Sequence, residues 1–309
     1  MGLFSDNVGE NNLKTQQQQN NEEESTSVKK MSNQQFDEWL LNNPELSDDN
    51  QTLCALIYGK DGTGKSGIVL DFLTDDDIKA GKKALIIDLD GGNIPLIKKH
   101  HKKRVESLGK KLSDVFIIRN PLSQKIIVAE DGEKEVVVDY KATFGNIVRI
   151  VNRIAEKIDE WNIKFVVFDG LSTALKHAER QMRIDKHIAA DGGIQLRYWL
   201  VRNKIFEEVL EQIKSLPCSK FFIAHDDFIV LNEDSPDISS VKRKTNAMVH
   251  QKIRCVREVI GNKTIFKAIV DKSKYNTAVE GTKIVFCEVD NQEKKMMFWD
   301  TAKIWNELF

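Results

Sequence analysis

"ALIYGKDGTGKSGIVLDFL" (residues 55–73) decides the fold. An apolar run, Leu53 to Tyr58, leads into it with the pattern of a buried strand. Ile68, Val69, Phe72 and Leu73 leave it at helical spacing. Between the two, Gly59 is followed by four residues and then by Gly64-Lys65-Ser66, the pattern G-x-x-x-x-G-K-[ST]. Strand, glycine-rich loop and helix in that order make a cradle for phosphate. Gly59, Lys60, Asp61, Gly62, Thr63, Gly64, Lys65, Ser66 and Gly67 are the residues expected to line it. Glycine lets the backbone N–H groups turn inward, and the following helix aims its positive end at the same anion. Lys65 is expected to reach the β- and γ-phosphates of ATP, and Ser66 to hold Mg²⁺. The plain alternative is a glycine-rich turn, which the flanking strand and helix argue against.

Outward from the loop, the chain of 309 residues has a net charge of −1, so no global basic field announces a nucleic-acid partner. The four cysteines, Cys54, Cys218, Cys255 and Cys287, lie far apart without a C-x-x-C, which indicates neither a disulfide framework nor a zinc site and fits a cytoplasmic location. No apolar run reaches membrane-spanning length, so no membrane association is expected. "MGLFSD" carries Asp6 where a myristoylation signal wants Ser or Thr. Residues 1–31, with "TQQQQNNEEEST", are too polar to bury a core and are expected to be a disordered tail. Residues 32–52 read as a short amphipathic helix and linker, 53–290 as the core, and 291–309 as a C-terminal tail.

Within the core, strands and helices alternate, which predicts an α/β fold with a mainly parallel sheet between helical layers. Strands are expected at 82–90, 114–120, 164–170 and 220–226, a hairpin at 125–140, and long helices near 143–161 and 198–216. Beyond residue 250 the pattern alternates as antiparallel strands do, turning at Gly261-Asn262.

A phosphate loop needs a second acid beside Mg²⁺. "FVVFDG" supplies Asp169 at the end of an apolar strand, the alternative being an ordinary turn-capping aspartate. Hydrolysis also needs a group that orients water. The position after Asp169, where many ring-forming ATPases carry Glu, is Gly170, so that acid must come from elsewhere. "IIDLDGG" offers Asp88 and Asp90 on one strand face, with Asp90 nearer the C-terminal edge where ligands bind. A Mg²⁺-side role for Asp88, or a turn role for either acid, is the alternative.

The loop, a strand ending "IDLDGG" and then "VVFDG" resemble the RecA-like ATPase core over about residues 53–290. The resemblance implies a three-layer P-loop NTPase fold, and it puts Asp90 where the family has a water-activating Glu. It also puts His225, in "FFIAHDD", at the γ-phosphate sensor position usually held by Asn-Gln. "FKAIVDKSKY" looks like the segment whose Lys-x-Lys reaches the ATP of an adjacent subunit, which maps onto Lys272 and Lys274 and implies a homo-oligomer, ring or filament. The match is most like the minimal RecA-core proteins of phages and archaeal elements, which handle single-stranded DNA in recombination or annealing. Their two DNA-binding loops correspond to polar segments 176–193, with Arg180 and Arg183, and 227–250, with Lys242, Arg243 and Lys244. Neither segment has the interleaved aromatics of a stacking platform. "KKALIIDLDGGN" also looks like the ParA/MinD-like partitioning ATPases, with Lys60 at their signature lysine, although Asp61 replaces a glycine of their loop. A P-loop small-molecule kinase is a third class, and no convincing arginine lid is found for it.

Overall fold

The computed structural model describes residues 52–128, 132–226, 245 and 248–308. Both N-terminal segments, 1–31 and most of 32–52, lie outside the described residues, as do Lys242, Arg243 and Lys244. In chain order the elements are β1 (Cys54–Gly59), α1 (Lys65–Leu70), α2 (Asp75–Lys79), β2 (Lys83–Asp88), α3 (Asn93–His100), α4 (Lys102–Ser107), α5 (Leu112–Val115) and β3 (Phe116–Arg119). Next come β4 (Gln124–Val128), β5 (Lys134–Val138), α6 (Tyr140–Lys157), β6 (Ile163–Asp169), α7 (Leu171–Asp185), α8 (Leu196–Lys214) and β7 (Ser219–Ala224). The chain closes with β8 (Gln251–Ile260), β9 (Lys263–Ser273), β10 (Lys283–Asp290), β11 (Lys295–Trp299) and α9 (Ala302–Leu308).

Nine strands form one sheet in the order β11-β10-β9-β8-β1-β7-β6-β2-β3. From β8 to β3 all neighbours run parallel. From β8 to β11 they run antiparallel. The fold is therefore α/β in three layers, mainly parallel with antiparallel C-terminal strands. β1 is buried along its whole length, which explains its unbroken apolar run: both of its faces are covered. Leu56 and Tyr58 point into the layer made by α6, α7 and α8. Ala55 and Ile57 point into the opposite layer, with α1 to α5 and α9. The hairpin predicted at 125–140 forms as β4–β5, a separate two-stranded sheet. The four cysteines are free and buried.

Three expectations are corrected. The strand expected at 114–120 is shortened, because a helical turn, α5, occupies its start. Residues 176–185, expected in a loop, belong to α7, whose buried stripe Leu171, Ala174, Leu175, Ala178 and Met182 has helical spacing. Residues 291–309, expected as a tail, supply β11 and α9. Trp305 packs edge-on against Phe72 and Phe221, with ring centroids 5.2 and 5.4 Å away, and its indole N–H donates to Ile68 O at 3.1 Å.

Candidate functional site

Because β1, β7, β6 and β2 run parallel, their C-terminal ends deliver the loop, His225, Asp169 and Asp90 to one edge of the sheet. The four meet in a cleft of about 250 Å³ lined by loop residues Asp61 to Ser66 together with Asp90, Asp169 and His225. Its position outside the strand ends is where ligands bind in sheets of this kind.

The loop is held from within. Gly59 has φ +153°, and a Cβ there would lie 2.2 Å from Cys255 O of β8, so only glycine allows β1 and β8 to approach at the loop's entry. Thr63 Oγ1 donates to Lys60 O at 2.7 Å. Lys65 Nζ donates to Gly59 O at 2.7 Å and Lys60 O at 2.8 Å, so the buried ammonium sits inside the loop. α1 starts at Lys65 with no side chain capping its first N–H groups, which leaves them for an anion. Asp61 and Lys60 stand exposed at the rim.

Asp169 takes two hydrogen bonds on Oδ2, from Ser66 Oγ at 3.0 Å and Asn93 Nδ2 at 2.8 Å. Burial pushes its carboxyl above the usual aspartate range. Those two hydrogen bonds oppose the shift, and the charges of Asp90 and Asp88 add to it. Asn93 Oδ1 is buried with no hydrogen-bond partner among the described residues. A crowded carboxylate, a hydroxyl and an unsatisfied amide oxygen form a hard-oxygen set that fits Mg²⁺, which takes one or two protein ligands when it arrives with a phosphate. No larger His, Cys, Asp and Glu cluster suited to a metal occurs among the described residues.

The two strand-end acids separate cleanly. Asp88 is 2 % exposed, and its oxygens accept the backbone N–H groups of Gly91 at 2.8 Å and Asn93 at 3.0 Å, so it builds the turn. Asp90, with its side chain 28 % exposed, faces the cleft. It accepts from Thr173 Oγ1 at 2.6 Å, and its Oδ2 lies 3.4 Å from His225 Nε2. The other ring nitrogen of His225 is 2.9 Å from Asp61 Oδ1, and its backbone N–H donates to Ser172 Oγ at 3.0 Å. Gly170 explains why Glu is missing beside Asp169: at φ +108° it passes so close to Asp90 that a Cβ would lie 2.8 Å from Asp90 Oδ1.

Asn93, Thr173 and Ser172 were not found from the sequence. Asn93 had a signal, a polar residue directly after Gly91-Gly92 at a helix start. Neither hydroxyl had any, since each acts across the fold.

Lys272 and Lys274 lie away from this cleft. Lys272 pairs in register with Lys252, which faces Leu56, whereas the loop begins at Gly59 opposite Cys255. The lysines therefore sit toward the N-terminal ends of the parallel strands. Burial, with the charges of Lys274 and Lys252, lowers the Lys272 ammonium pKa. Its Nζ donates to Val249 O at 3.0 Å. Arg180 is exposed on α7. Arg183 is engaged within the fold: it pairs with Glu179 and donates to Ala189 O at 3.0 Å and Gly192 O at 2.8 Å.

The sheet order and the lysine-bearing loop define a P-loop α/β protein. No protein-family model matches the chain, and no curated protein matches its sequence. Among solved structures it is similar to the RadB recombinase, at 14 % identity over 78 % of this chain and 88 % of that one, with a TM-score of 0.45. It is also similar to the flagellar accessory protein FlaH from Methanocaldococcus jannaschii, at 14 % identity over 75 % and 83 %, with a TM-score of 0.39. No described helix is long and apolar enough to cross a membrane.

Proposed function

We propose that the protein binds Mg²⁺-ATP and hydrolyses it in a RecA-like core, acting as a homo-oligomer on single-stranded DNA. One observation carries the catalytic part: a phosphate loop, an oxygen set around Asp169 and a cleft-facing acid, Asp90, converge on one strand edge. Lys65 would neutralise phosphate charge, and the loop's N–H groups would hold the β-phosphate region. Ser66, Asp169 and Asn93 would hold Mg²⁺, which when bound offsets charge on the phosphates. Asp90, steadied by Thr173 and His225, would accept a proton from the attacking water. His225 touches both Asp90 and the loop's Asp61, so a γ-phosphate entering between them is felt by both.

Lys272 and Lys274 are remote from their own loop, so any site that combines them with a loop needs a second chain. The DNA reading rests on the sequence resemblance. ATP hydrolysis with and without single-stranded DNA tests the hydrolysis and the DNA partner together. Stimulation is expected, and transfer of the phosphate to a small acceptor instead of water would overturn the reading.

A further inference from the structure

A second cleft lies on the other side of β2, at the sheet edge formed by β3. It measures about 680 Å³, which is within the range of small-ligand sites. Lys83, Arg119, Arg149 and Arg153 line it, and no acid does. Its floor includes Leu85 and Ile154, and Trp161 stands at its wall, packed against the core. Arg149 and Arg153 are one turn apart on α6, where like charges cost helix stability. Arg153 has a surface partner, Glu156, at 2.7 Å, but Glu156 does not line the cleft. The mouth is pinned by Asn146, whose Nδ2 donates to Pro121 O at 3.1 Å.

Three guanidinium groups suit phosphate oxygens, which they bind in a two-pronged fashion. An indole beside an apolar floor suits the face of a flat ring. Both requirements fall in one concave site, and no carboxylate lines it, although Glu156 outside the cleft pairs with Arg153. We propose that this cleft binds a nucleotide unit, a phosphate joined to a planar base, separately from the phosphate loop. The unit comes either as a free mononucleotide or as one residue of a single strand. The inference does not depend on ATP hydrolysis at the loop.

The test uses the full chain carrying Lys65→Ala, so that the loop does not take up the probes. Thymidine monophosphate binding is followed by equilibrium dialysis and a fluorescein-labelled short oligodeoxythymidylate by anisotropy across a salt series. Arg119→Ala/Arg149→Ala/Arg153→Ala is compared in the same background. These arginines are exposed, so the variant is expected to melt like its parent, and the same three substitutions made in the otherwise unchanged chain, with Lys65 intact, should keep basal ATP hydrolysis. Binding should weaken about tenfold or more. The salt slope for the oligonucleotide should fall by about 0.7, the share of the one phosphate the cleft holds. Loss for thymidine monophosphate alone identifies a free-nucleotide site, and loss for the oligonucleotide alone a strand-binding one. If neither probe binds the parent, or both bind the folded arginine variant with unchanged affinity and slope, the proposal is overturned.

Discussion

Two aspartates stand two positions apart at the end of β2, and their surroundings give them different work. Asp90→Asn keeps the shape of the cleft but removes a proton acceptor. Mg²⁺-ATP binding should persist while turnover falls ~10²–10⁴-fold, as measured by nucleotide titration beside steady-state hydrolysis. Asp88→Asn replaces an oxygen that accepts a backbone N–H with an amide NH₂ or leaves one acceptor short. It should lower the melting temperature by the equivalent of about 1–3 kcal/mol, with turnover lost through the disturbed turn. Asp169 gives a pH-linked expectation. Its folded pKa is raised, so ionising it costs the ligand-free chain stability as pH rises from the ordinary aspartate range through the folded value. Asp169→Asn should therefore melt no lower than the parent at neutral pH without ligand, yet gain nothing from Mg²⁺-nucleotide. Thermal melts with and without both ligands check this. That the loop, Asp169 and Asp90 would meet at one strand edge was legible, because each follows an apolar run that reads as a core strand. The division between Asp88 and Asp90 was legible only in part. It is decided by backbone N–H donors and by Thr173, and neither shows in a local pattern.

At the scale of elements, alternation of apolar runs exposed most of the sheet, because strands covered on both faces read as unbroken Val, Ile, Leu and Phe. The antiparallel end was legible from its period of two and its Gly261-Asn262 turn. Two elements were hidden. α7 carries enough charged residues on its outer face to look like a loop, and only its buried stripe gives it away. β11 and α9 are short and follow a turn of charged residues, so their few aromatics looked like surface. Trp305 shows the cost of that misreading, since it is buried against Phe72 and Phe221. Trp305→Ala should destabilise the fold by ~3–5 kcal/mol, and denaturant unfolding should record it as a lower midpoint. A midpoint unchanged by this substitution would mean that α9 is peripheral after all.

For the whole molecule, the distance between the loop and Lys272 makes assembly testable. A Lys65→Ala chain and a Lys272→Ala/Lys274→Ala chain should each be nearly inactive. Mixed, some interfaces would join an intact loop to intact lysines, and hydrolysis should partly return, falling again on dilution. Absence of rescue in an assembly shown to contain both chains would place the lysines outside catalysis. The position of β1 also bears on how the protein is made. This strand is made well before its neighbours β7 and β8, and the bond from Leu53 N–H to Ser219 Oγ spans 166 residues. Such non-local pairing is slow to form. Until β8 emerges, one edge of the most apolar strand stays open, and Gly59 has no Cys255 carbonyl to pack against. A nascent chain arrested before Gln251 would thus display a sticky strand and an unformed loop, dependent on chaperones and unable to draw stability from nucleotide until β8 has been made.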